Sequence, residues 1–262
     1  MPEQAVLVIA ISGAAAIASV AGGLIAIVRP PGTLLASLAL GFASGVLFTA
    51  IAFEMLPESL ELGNVVIAAA GFTAGLALIY GFDLFVHRGK IAGDRAEQVT
   101  AVKRLHNQHP PRGGEVTVLA GGTSIEEVVE GLSIGVGMAI EPNVGMVIAL
   151  AVVINNLSEG MSIGELARIE AEHHQGTPVL RVLKWTGLIG ASVFLSALAG
   201  WFLFRGMPEE VLGFLFAFGA GGMLYLTVTD LIPEAERRHY QQSAAIALAL
   251  GFLVVLVLTE AV

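Results

Sequence analysis

Two short stretches place acid and amide side chains at helical spacing inside otherwise apolar sequence. One holds Glu126, Glu127 and Glu130, with Thr123 and Ser133 extending the stripe. The other holds Asn155, Asn156 and Glu159, with Ser162 beyond. Steps of three and four residues put such side chains on one face of a helix. Oxygen donors of this kind suit hard or borderline divalent cations such as manganese, iron(II), magnesium or calcium. Zinc takes carboxylates too, although its sites usually include histidine or cysteine. An acid at the centre of a membrane helix costs about 2.5–3.5 kcal/mol even on the mildest scale. Four facing lipid would be prohibitive, and four facing one another would repel. A bound divalent cation relieves both problems. The six residues Glu126, Glu127, Glu130, Asn155, Asn156 and Glu159 are therefore the candidate metal ligands.

The elements that position them must be membrane helices. Of 262 residues, 55% are hydrophobic and 13% charged, against roughly 25% charged in soluble domains. With no cysteine in the chain, a disulfide framework, a thiolate zinc site and a cysteine nucleophile are excluded. Apolar runs at about 5–28, 33–57, 64–86, 117–140, 143–165, 183–204, 210–232 and 243–260 are each long enough to cross about 30 Å of hydrocarbon. They are continuous rather than alternating, so strands are not expected. The first lacks a basic leader and reads as a retained helix rather than a signal peptide. The expected fold is all-α and integral to the membrane: one transporter domain over 1–262 with eight spans grouped three, two and three.

Orientation follows from the basic residues. Of thirteen, twelve fall in one alternate set of connections and only Arg205 in the other. Lys and Arg collect on the cytoplasmic side. That places both termini outside and the polar 87–116 loop, with Pro110-Pro111 and Gly113-Gly114, in the cytoplasm. All six histidines (His87, His106, His109, His173, His174 and His239) fall in cytoplasmic connections and read as solvated residues. Asp83 reads as an interfacial partner of His87 and Arg88.

The chain also repeats itself. Glu130-Gly131-Leu132-Ser133-Ile134-Gly135 matches Glu159-Gly160-Met161-Ser162-Ile163-Gly164 at five of six positions, on helices expected to run in opposite directions. Gly45, Glu54, Pro57 and Glu58 match Gly221, Asp230, Pro233 and Glu234 at one constant offset. Inverted repeats are a transporter signature, with the site at midplane between them. Glu54, Asp230 and Glu234 are candidate relays for the ion, or else helix-end charges. Gly131-x-x-x-Gly135 and Gly160-x-x-x-Gly164 permit close helix approach and are expected to draw helices 4 and 5 together.

At these motifs the sequence resembles the zinc/iron-regulated transporter-like (ZIP) family. The hexamers Glu126-Glu127-Val128-Val129-Glu130-Gly131 and Asn155-Asn156-Leu157-Ser158-Glu159-Gly160 stand where that family carries His-Asn-x-Pro-Glu-Gly and a related motif. The three–two–three organisation and the Leu56-Pro57-Glu58 and Ile232-Pro233-Glu234 helix ends are similar as well. Three departures stand out: Glu126 replaces the histidine, Val129 and Ser158 replace the prolines, and helix 6 carries no acid. The resemblance implies movement of zinc, iron, manganese or a similar cation into the cytoplasm, with the metal as transported substrate. It also implies an elevator-like shift of helices 1, 4, 5 and 6, a homodimer, and a place in a prokaryotic plasma membrane, with no nucleic-acid partner and no enzymatic activity. A competing class is a membrane-embedded glutamate protease. It would need an arginine where Gly131 stands and histidines within a span, and His-Glu-x-x-His is absent. A proton or monovalent-cation carrier is the other alternative.

Overall fold

The computed structural model describes residues 2–28, 32–86, 115–173, 178–236 and 240–261. Among them every regular element is helical, as apolar runs require where backbone polar groups find no water. Eight helical rods result. α1 is Pro2–Val28. α2 comprises Thr33–Thr49, a π-helical segment Ala50–Met55, and Leu56–Leu62. α3 is Val65–Val86, α4 Glu115–Ile140, α5 Pro142–His173 and α6 Pro178–Phe204. α7 comprises Glu209–Leu226, a π-helical segment Thr227–Leu231, and Ile232–Glu236; α8 is Gln241–Ala261. Six rods (α1, α2, α3, α5, α6 and α7) are long and apolar enough to cross a membrane. α4 has the length, but Glu126, Glu127 and Glu130 interrupt its apolar run. The described apolar stretch of α8, Gln241–Val257, is short. The protein is an all-α integral membrane protein.

Several expected boundaries shift. Pro57 and Pro233 do not end their helices, which continue to Leu62 and Glu236. Proline lacks an N–H and its ring presses on the carbonyl four residues earlier. Here the backbone widens ahead of each proline instead of breaking. The Leu56 N–H donates to the Ile51 carbonyl and the Ile232 N–H donates to the Thr227 carbonyl, the i→i−5 pattern of a π turn. α5 also runs beyond residue 165 to His173. Its apolar run stops there, but Glu, Leu, Ala and Arg sustain a helix on propensity alone. The 87–114 stretch lies outside the described residues, with His87, His106, His109, His174 and His239. The side chains of Asp83, His173, Asp230 and Glu234 do too.

Packing divides the rods into two groups of four. In one, α4 lies along α6, α1 along α5, and α1 along α6, while α4 and α5 form a hairpin. In the other, α3 lies along α7, α2 along α8, and α2 against α7. The groups meet chiefly where α4 crosses α7 and α2 crosses α5. The glycines account for the pairing and correct an expectation. Gly131 and Gly135 do not face α5; they abut the Val193 and Ala197 carbonyls of α6. Gly160 and Gly164 abut the Ser19 and Gly23 carbonyls of α1. A Cβ at any of the four would collide with backbone. Through these four glycines each hairpin helix is seated from behind, on α6 or on α1.

Candidate functional site

The α4–α5 hairpin turns through Glu141 alone. The Glu141 N–H donates to the Gly137 carbonyl and the Gly145 N–H donates to the Glu141 carbonyl. So tight a turn makes residues at similar distances from Glu141 meet. Asn155 Nδ2 donates to Glu130 Oε1 at 3.1 Å and to Glu159 Oε1 at 2.9 Å. Asn156 Nδ2 donates to Glu127 Oε2 at 3.1 Å and to the Ala15 carbonyl of α1 at 3.3 Å. Relative exposure is 1% for Glu127, 3% for Glu130, 1% for Asn155 and 0% for Asn156. The hairpin therefore brings together five of the six expected residues. Glu126 is only half-buried, though it lies within electrostatic reach of Glu130.

Four oxygens in this cluster are buried with no hydrogen-bond partner: Glu127 Oε1, Glu130 Oε2, Asn155 Oδ1 and Asn156 Oδ1. Buried acceptors are rarely left unpaired, and a set of them within one cluster is the donor set a hard cation takes. Among the described residues no three acids or histidines alone make a metal-holding group; the oxygen set is completed by amides.

Toward the Glu141 turn the cluster is capped by apolar packing. Ile51 and Met55 of α2, Ile134 and Met138 of α4, and Val144, Ile148 and Val152 of α5 are buried in one core. Glu54, in the α2 π segment, is buried at 9% exposure. Glu58 lies within electrostatic reach of Glu54, Glu61 and Glu141, so these acids gather at the end of the molecule where the hairpin turns.

The Ala15 carbonyl is the one participant that sequence reasoning missed. A backbone acceptor in an apolar helix has no side-chain signature. Its only trace is the small-residue character of α1, with Ser12, Ala15 and Ser19 all fully buried.

Residues 112–259, more than half the chain, match the family model described as ZIP zinc transporter. The chain is 28% identical over 261 residues to zinc transporter ZupT of Corynebacterium efficiens, covering 93% of this chain and 92% of the relative. It is 29% identical over 259 residues to zinc transporter ZupT of Corynebacterium glutamicum, covering 92% and 93%. With a carboxylate–amide cluster buried between its two central helices, and a family match that spans both, the chain belongs to the ZIP zinc transporter family.

Proposed function

We propose that this protein carries a divalent metal cation across a prokaryotic plasma membrane into the cytoplasm, with the ion held between α4 and α5. The relatives are zinc transporters, so zinc is the first cargo to test; manganese and iron(II) suit the same oxygen donors. The observation that supports this most is the convergence of unpartnered oxygens from Glu127, Glu130, Asn155 and Asn156 in one buried cluster. Glu130 and Glu159 share one amide and supply charge from both helices. Glu127 and Asn156 form a second position beside them, and Glu126 completes the set from the rim.

All eight rods span the membrane in this reading, three, two and three, with both termini outside and with inverted repeats relating α4 to α5 and α2 to α7. Two features support it. The π turns fall at matching positions ahead of Pro57 and Pro233. The pairing of α4 with α6 and α1 with α5 is also what exchange of the two halves demands, as is that of α3 with α7 and α2 with α8. Motion is an elevator-like shift of α1, α4, α5 and α6 against the other four, in a homodimer embedded in lipid. The apolar packing between the cluster and Glu141 supports a reading in which the outer route is closed. Glu54 relays the ion on entry, and Asp230 with Glu234 on exit.

The test is zinc uptake into liposomes by Glu130→Gln and Glu159→Gln. Each keeps size and removes one charge from the shared cluster. Uptake falls at least about ten-fold in each, since even outer-shell losses at metal sites cost that much, while both proteins still insert and purify. Wild-type rates in both variants would move the site elsewhere.

A further inference from the structure

Asn155 and Asn156 commit all four of their amide hydrogens. Three go to carboxylate oxygens, of Glu130, Glu159 and Glu127, and the fourth goes to the Ala15 carbonyl of α1. Each of Glu127 and Glu130 then divides its labour. One oxygen takes an amide hydrogen, and the other, Oε1 of Glu127 or Oε2 of Glu130, takes none, while the Glu127 carboxyl also lies against that of Glu159. The amides are divided in the same way, since the Oδ1 atoms of both asparagines are also left over. Cargo can occupy the spare oxygens without displacing a single amide hydrogen.

The donors matter most when cargo is elsewhere. Any carrier that delivers an ion must bring its site back unloaded, and here that site contains buried carboxylates. Among the basic residues whose side chains are described, none lies on α4 or α5. Arg181 and Lys184 sit in the opening turns of α6 and Arg205 beyond its end. Hydrogen bonds to a carboxylate are the strong kind, and three of them face this cluster from two side chains. We infer that Asn155 and Asn156 are stand-ins for the cation: their amide hydrogens hold the carboxylates between deliveries and set the speed at which the unloaded carrier returns. The Asn156–Ala15 bond adds α1 to that unit, so the helix behind α5 moves with it.

This rests on the transport reading above, and one experiment separates the two. Net uptake into zinc-free liposomes requires the unloaded carrier to cross on every cycle. Exchange of labelled external zinc for zinc inside the liposome does not. In wild type, internal zinc is expected to speed labelled uptake by no more than about two- to three-fold, because the donors already ease the return step. In Asn155→Asp and Asn156→Asp, oxygen and size are kept but the donors are lost and a charge is added. Net uptake is then expected to fall so that the ratio of exchange to net uptake rises about ten-fold, the scale of one lost charge-assisted hydrogen bond. Zinc titration of the purified variants checks that the site still forms. An unchanged ratio in a zinc-binding variant, or strong acceleration of wild type by internal zinc, would overturn the inference. The wild-type measurement decides even where neither variant folds. Wild-type liposomes that neither take up nor exchange zinc or any other divalent ion would instead sink the transport reading itself.

Discussion

At the scale of single residues, Glu126 is the informative departure. Its neighbours on the same helix face are almost fully buried, while Glu126 is half-buried beside them. It stands where the family motif carries histidine, so the oxygen set has no nitrogen donor among the described residues. An imidazole is a softer ligand than a carboxylate and prefers zinc over manganese. Wild type is expected to carry manganese or iron(II) at least as well as zinc, and Glu126→His to raise the zinc-to-manganese uptake ratio about ten-fold, the lower end of what single changes around a metal do. Competition uptake with both ions, on both proteins, reads this directly. An unchanged ratio would remove Glu126 from the ligand set. That these side chains meet was legible in the sequence, because acids and amides at three- and four-residue spacing in an apolar run must face one another rather than lipid. What stayed illegible was which amide hydrogen meets which carboxylate. Asn155 and Asn156 are the same residue type side by side, and only the hairpin geometry sends one to Glu130 and Glu159 and the other to Glu127 and α1.

At the scale of elements, glycine decides which helix lies against which. Gly160 abuts the Ser19 carbonyl, whereas Gly187 has nothing within 4 Å of where a Cβ would stand. Overpacking a close helix contact costs about 1–3 kcal/mol or more. Gly160→Val is therefore expected to lower the thermal midpoint in detergent and to weaken uptake, because α1 is forced off α5 and the Asn156–Ala15 bond with it. Gly187→Ala is expected to leave both unchanged. A stable, active Gly160→Val would show that the α1–α5 contact is dispensable. The small-x-x-x-small pattern announces that a helix has a close neighbour and says nothing of which one. That is why Gly131 and Gly160 suggest an α4–α5 seam while they in fact seat α6 and α1. Proline misled for a similar reason. A chain that can widen into a π turn absorbs Pro57 and Pro233, and no residue type marks that choice in advance.

At the scale of the whole molecule, continuous apolar runs made the fold class plain, and twelve of thirteen basic residues in one alternate set of connections made the orientation an expectation. Arginine and lysine are retained on the cytoplasmic side during insertion. A tag near Gln98 is thus expected to be reached only from the cytoplasm, and tags at either terminus only from outside. Since the chain contains no cysteine, single introduced thiols can be labelled from one side at a time to check it. Opposite accessibility of the two termini would rule out eight spans. The division into two four-helix groups was not legible in composition, because every rod is apolar and only the packing partners distinguish them. α5 holds 32 residues without a break, about 48 Å at 1.5 Å per residue, against about 30 Å of hydrocarbon. Asn155, Asn156 and Glu159 sit near its midpoint, and the rod continues well past them to His173. If the hairpin shifts as proposed, a spectroscopic label at the far end of α5 reads that shift without touching the site, because a straight rod of this length is longer than the hydrocarbon is thick.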